Sequence, residues 1–223
     1  MLVTRLAPLA LVTLALAGCG GGSSETATTA ATTAAPPASS GCARVAQPAP
    51  KAGGGQSAPA AALDPAKTYT LTFTTSCGSF AVTLDPRLAP QTTASLVALA
   101  KAGFFDGTVF HRIVPGFVIQ GGDPTQTGSG GPGYQTVDAP APDARYVKGV
   151  VAMAKTADEP AGTAGSQFFV VTGEDIGLPP DYAIVGTVTA GLDVVTAIGE
   201  LGDPATELPL QPVVIEKVTA GES

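Results

Sequence analysis

No aromatic residue stands before Tyr69; all eight Phe and four Tyr of this 223-residue chain lie from that position onward. Aromatic rings supply much of the apolar area of a core, so the folded part has to be built from the later residues. From Gly20 to about Ala62 the chain is mostly Ala, Thr, Ser, Pro and Gly, with only Glu25, Arg44 and Lys51 charged. Such a stretch cannot offset the entropy of ordering itself, which predicts a disordered Ala/Thr/Pro/Gly-rich tether over residues 19–62. Ahead of it, Arg5 is followed by an apolar run from Leu6 to Ala17. That run is too short to span a bilayer and has the build of a secretory signal peptide over residues 1–18.

Residues 63–223 are enough for one domain with its own core. Alternation predicts strands at 69–75, 80–84, 109–114, 117–120, 149–154, 167–172, 183–188 and 212–218. Pro90 early and Gly103 just past the end bracket a helix at 89–102, and a second helix is expected at 191–199. A Gly- and Pro-rich loop is expected from Asp123 to about Tyr146.

The informative run is Phe110 to Asp123. Two β-rich segments flank the turn dipeptide Pro115-Gly116. Alternation puts Phe110, Arg112 and Val114 on one face, and His111 and Ile113 on the other, towards the interior. Taken alone, an arginine among apolar strand residues reads first as ion-paired on a solvated sheet face; the alternative is a guanidinium that meets a polar ligand. His111 is the sole histidine and is expected to be a core residue with its hydrogen bonds satisfied. One histidine offers neither a serine-type triad nor a zinc cluster, so no metal or cofactor is expected. Gly128 to Gly133 is Gly-rich but lacks the lysine and helix of a phosphate loop, and reads as the edge of a groove.

Phe110–Asp123 resembles the signature of the cyclophilins, the peptidyl-prolyl cis-trans isomerases. The resemblance continues through Gly128–Tyr134, Val151–Lys155, Gly165-Ser166-Gln167-Phe168-Phe169-Val170 and Ala183–Val188, covering roughly residues 68 to 218. It implies a mainly β fold, a closed eight-stranded antiparallel β-barrel capped by two α-helices. It further implies that Arg112, Gln120 and Phe117 are catalytic. Val118, Phe169 and Leu178 would line the proline pocket; Ala154 and Lys155 would grip the chain before the proline; Gln167 and Tyr182 would complete the groove. Tyr182 stands where many members have a histidine, and the family's tryptophan position falls near Ile176 or Gly177. The missing indole wall implies weak cyclosporin binding.

Leu16-Ala17-Gly18-Cys19 resembles a bacterial lipoprotein cleavage site, with Cys19 as the lipidated residue. That implies export and a lipid anchor on the outer face of the cytoplasmic membrane. Two cysteines then remain, Cys42 and Cys77, in a compartment where disulfides persist, and a bridge between them that pins the end of the tether, near Gly41 to Ala46, onto the barrel is expected; two unpaired thiols are the alternative. Loss of residues 1–18 removes one base and no acid from a chain of net charge −7, so nucleic acid is not an expected partner. The expected partners are proline-containing polypeptides, bound by a monomer. Two activities fit: an isomerase that assists folding of exported proteins, or a chaperone- or adhesion-type lipoprotein that holds proline segments without important turnover. Arg112 favours the first, since a pure binder has no need of it.

Overall fold

The computed structural model describes residues 41–223. The residues expected to form a signal peptide, Cys19 and the first part of the expected tether lie outside them. The described chain runs β1 (Tyr69–Thr75), β2 (Gly78–Leu84), α1 (Pro90–Lys101), β3 (Thr108–Val109), β4 (Arg112–Val114), β5 (Val118–Gly121), β6 (Thr136–Val137), β7 (Val150–Met153), β8 (Thr163–Ala164), β9 (Phe168–Val171), β10 (Ile184–Ala190), α2 (Leu192–Gly199) and β11 (Val214–Glu222).

All pairings are antiparallel, and nine strands form one sheet in the order β3-β11-β1-β2-β10-β7-β9-β5-β4. Nine replace the expected eight because the predicted strand 109–114 is split into β3 and β4. These halves stand at opposite ends of the strand order yet are consecutive in the chain. Phe110 N–H bonds Val213 O on the β11 side and His111 N–H bonds Gln120 O on the β5 side. The sheet is therefore a curled half-barrel rather than the closed barrel expected: its end strands β3 and β4 do not pair, and the chain run 108–114 joins them. The expected long loop also holds β6, which pairs with β8 as a separate two-stranded ladder.

The curl encloses Leu71, Phe73, Phe80, Phe110, Ile113, Ile119, Phe168 and Ile215, all under 4 % exposed. Phe73 and Phe80 stack at 4.7 Å, and Phe110 and Phe168 meet edge to face. The helix α1 starts at Pro90 without a side-chain cap of its own. The carboxylate of Asp138 substitutes: Oδ2 accepts from Thr92 N–H and from Thr92 Oγ1, both at 2.7 Å. That satisfies a donor the first helical turn would otherwise leave unpaired.

Residues 41–46 are pinned to the barrel as the expected bridge implies, and residues 47–57, expected to belong to a disordered tether, continue along it. They lie on the barrel as a strap: Ala43 N–H bonds Ser76 O, Lys51 N–H bonds Pro124 O, Gly54 N–H bonds Gly131 O and Gln56 N–H bonds Pro132 O. The ammonium of Lys51 donates to Phe104 O and Asp106 O, each at 2.7 Å. Cys42 and Cys77 are joined by a disulfide. Composition governs whether a segment can build its own core. A strap needs none, because it borrows backbone partners from a surface already folded.

Candidate active site

The groove follows from sheet register. Across β4, β5 and β9, Arg112 faces Gln120 and Gln120 faces Phe169; Phe169 in turn faces Ala152 of β7. One residue along, Ile113, Ile119, Val170 and Val151 form the next row, all 3 % exposed or less and within the barrel core. Period-2 alternation therefore turns one row outward as a polar and aromatic groove and the next inward as core.

Phe110, expected on the Arg112 face, is instead inside the barrel with Ile113. His111 N–H reaches Gln120 O although Arg112 is the register partner of Gln120, so two residues of this run stand opposite one. Such a bulge re-aims side chains; here it lets Phe110 and Ile113 both point inward while Arg112 points out. Phe117 is placed by the turn rather than by a strand. Its N–H bonds Val114 O at 3.0 Å, and Gly116 has φ +70°, which a side chain there would strain. The turn swings the ring beside Arg112.

A cavity of about 310 Å³ is lined by Arg112, Phe117, Val118, Gln120, Ala154, Lys155, Phe169, Leu178 and Tyr182. Every expected groove residue is there except Gln167, which stands behind Gln120. Gln120 Nε2 donates to Gln167 Oε1 at 3.1 Å, and Gln167 Nε2 donates to Gly128 O and Gly130 O at 2.9 and 3.0 Å. The loop it holds is organised by Asp123, whose carboxylate accepts from Thr125 Oγ1 and from the N–H groups of Thr125, Thr127, Gly128 and Gly130. Burial works against the Asp123 charge, yet these hydrogen bonds outweigh it and hold its pKa below the usual carboxylate value. A Cβ on Gly130 would lie 2.0 Å from Asp123 Oδ1, so the turn around the carboxylate requires glycine. A wider cavity of about 710 Å³ adjoins the groove, sharing Gln120, Ala154 and Lys155 with it, and strap residues Gly53 and Gly54 form part of its wall.

Lys155 does not present its charge to the groove. Its side chain is 2 % exposed and paired with Asp181 at 2.6 Å, its ammonium also meets Thr156 O and Glu159 O, and it lies over the Tyr182 ring. Tyr182 packs edge-on to Phe169 at 5.6 Å. The buried Tyr146, which sequence reasoning missed, fixes Tyr182: its hydroxyl donates to Tyr182 O at 2.8 Å and accepts from Tyr182 N–H at 2.9 Å. Gly177, near the expected tryptophan position, has φ +63° and open space where a Cβ would be.

Glu207 was also missed. Its Oε2 accepts from Arg112 Nε at 2.6 Å, while Arg112 Nη1 approaches Gln120 Oε1 at 3.4 Å. Glu207 sits at φ +60°, one of two described non-glycine residues in the left-handed region. That conformation costs roughly 1–2 kcal/mol for a residue with a Cβ. The ion pair is 35 % and 45 % exposed, and such half-exposed pairs contribute only about 0–1 kcal/mol.

His111 is not the satisfied core histidine expected: both its ring nitrogens are buried with no hydrogen-bond partner among the described residues. Burial pushes its pKa below the ordinary value, against the pull of Asp123. At pH above about 6.5 both folded and unfolded chains carry it neutral. As pH falls through that value the unfolded chain takes up the proton first, so stability declines until the folded pKa is reached. With one histidine in the chain, the window from pH 7 to 5 isolates it. The urea midpoint is expected to fall across this window in the wild type and to stay nearly flat in His111→Leu.

The molecule is thus a curled antiparallel sheet with two helices that carries an aromatic groove with an arginine on its rim. The family model described as "Cyclophilin type peptidyl-prolyl cis-trans isomerase/CLD" matches residues 70–220. The peptidyl-prolyl cis-trans isomerase A of Mycobacterium tuberculosis is 38 % identical over 173 residues, covering 70 % of this chain and 93 % of that relative. Peptidyl-prolyl cis-trans isomerase B of Streptomyces anulatus is 38 % identical over 166 residues, covering 66 % and 93 %. A Cryptosporidium parvum cyclophilin-type isomerase, crystallised in the presence of the dipeptide Ala-Pro, superposes with a TM-score of 0.63 at 28 % identity, covering 68 % of this chain and 98 % of that one. The chain belongs to the cyclophilin-type peptidyl-prolyl cis-trans isomerase family and is an enzyme of that class.

Proposed function

We propose that the groove around Arg112 twists X-Pro bonds of exported polypeptides, and that the enzyme works outside the cytoplasm on a lipid anchor at Cys19. The peptide bond resists rotation by about 18–20 kcal/mol because its nitrogen lone pair is conjugated. In the twisted state that conjugation is lost and the proline nitrogen becomes a hydrogen-bond acceptor. A donor aimed there binds the twisted amide more tightly than either planar isomer, which is what acceleration requires. Two of the three guanidinium nitrogens of Arg112 are engaged, Nε by Glu207 and Nη1 by Gln120. Nη2 makes no hydrogen bond among the described residues, and an uncommitted donor on an arginine that lines the groove is the observation that carries the reading.

Phe117, Val118, Phe169 and Leu178 offer the proline ring an apolar seat. Ala154 N–H is already committed to Gln167 O, so Ala154 O and Lys155 N–H are the backbone groups left to hold the segment before the proline. The wider cavity bounded by the strap has room for that segment. The solved relative prepared with Ala-Pro supports a proline-containing substrate.

Among the described residues no helix is long and apolar enough to cross a membrane; attachment would rest on Cys19. Labelled palmitate is expected to enter the wild-type protein in bacterial cells and not Cys19→Ser, which should leave the membrane fraction. Equal labelling of both would refute the anchor, and a proline-limited peptide assay on the wild type and Arg112→Ala tests the chemistry separately.

A further inference from the structure

We infer that Glu207 is a positioning residue for Arg112: it sets the plane of the guanidinium so that Nη2 faces the substrate. The inference rests on the catalytic reading of Arg112 given above and extends it to a loop 95 residues away in sequence.

The loop is clamped at Glu207 from both sides. Glu207 N–H bonds Asp203 O at 2.7 Å, and Glu207 O accepts from Ile113 N–H at 2.9 Å, the residue after Arg112. Asp203 Oδ1 accepts from Ala205 and Thr206 N–H, closing the turn. Gly202 lies against the same strand, where a Cβ would come within 2.3 Å of Ile113 O. The backbone of Glu207 is therefore delivered to β4 in the left-handed conformation, and its carboxylate lands on Nε.

Stability does not account for a glutamate there. A glycine would hold the left-handed turn with less strain, and a half-exposed ion pair returns little. A non-glycine outlier held by its surroundings is a reason to look for function. A guanidinium is planar, so contacts at Nε and at Nη1 together fix its plane and leave Nη2 directed. Gln120 alone, at 3.4 Å, is too long a contact to do this. Gln120 is itself held by Gln167, so the guanidinium lies between one firm carboxylate and one supported amide.

The test uses the full chain and a short X-Pro peptide, with kcat and KM measured separately and Tm recorded for each variant. Glu207→Ala is expected to lower kcat by about 10- to 100-fold, the range expected when a reacting group is misplaced by up to about 1 Å, with KM within about twofold of wild type. Glu207→Gly, which relaxes the backbone, should lose kcat equally while its Tm holds or rises. Glu207→Gln, which keeps an acceptor for Nε, should recover most of the loss. In an Arg112→Ala background Glu207→Ala should have no further effect. Wild-type kcat in Glu207→Gly, or an undiminished Glu207→Ala effect in the Arg112→Ala background, overturns the proposal. Wild-type turnover in Arg112→Ala alone would instead overturn the catalytic reading beneath it.

Discussion

Arg112→Ala is expected to lower kcat for an X-Pro peptide by about 10²- to 10³-fold, the cost of removing one preorganised donor from a developing charge, worth about 2.7–4 kcal/mol. The fold should survive, because the Arg112 side chain lies on the groove rim and its ion pair with Glu207 is half exposed. KM should change far less than kcat, since the apolar seat made by Phe117, Val118, Phe169 and Leu178 remains. Arg112→Lys should rescue little: an ammonium is a point charge on a flexible stem and cannot keep Nε on Glu207 while offering a second donor to the groove. Isomerisation measured by exchange NMR gives both constants. Near-normal turnover in Arg112→Ala would remove the mechanism proposed for the groove.

Reduction of the Cys42–Cys77 disulfide is expected to destabilise the protein by about 4 kcal/mol on chain-entropy grounds, the two cysteines being 35 residues apart. At about 2–4 °C per kcal/mol for a domain of this size, Tm should fall by roughly 10 °C. Turnover of a short X-Pro peptide should stay nearly constant. Neither cysteine lines the groove, and the strap keeps its hydrogen bonds to Ser76, Pro124, Gly131 and Pro132. Thermal melts with and without reductant, and on Cys42→Ser, check the first part. An unchanged Tm would mean the strap is held by its other contacts alone.

Most of the groove is legible in the amino-acid sequence. Arg112, Phe117, Val118, Gln120, Ala154, Lys155, Phe169, Leu178 and Tyr182 belong to long motifs whose spacing a β-period converts into shared faces, and all line one cavity. Local pattern misleads where backbone geometry breaks that period. The bulge at His111-Arg112 sends Phe110 inward, and the Pro115-Gly116 turn, not alternation, brings Phe117 round. The supporting residues carry no signal at all. Tyr146, Glu207 and Asp138 act on partners 36, 95 and 46 residues away, and a lone tyrosine or carboxylate in a loop looks like any other. Asp123 is visible as the end of the signature, but its five hydrogen bonds depend on a loop conformation that composition does not specify.

What the sequence determined by itself was therefore set by local pattern. Alternating residues between turn signals produce the strands, Pro90 and Gly103 bracket α1, and the absence of rings before Tyr69 places the core after it. Tertiary structure alone decided how the ends meet and how far beyond the expected Cys42–Cys77 bridge the strap extends. The run 108–114 joins the two edges of the sheet because its successive N–H groups find Val213 on one side and Gln120 on the other. Residues 41–57 are ordered because Cys77, Ser76, Pro124 and Gly131 are already in place to receive them. Hydrogen bonds to a preformed surface need no apolar content in the segment that makes them, and so leave no trace in its hydropathy.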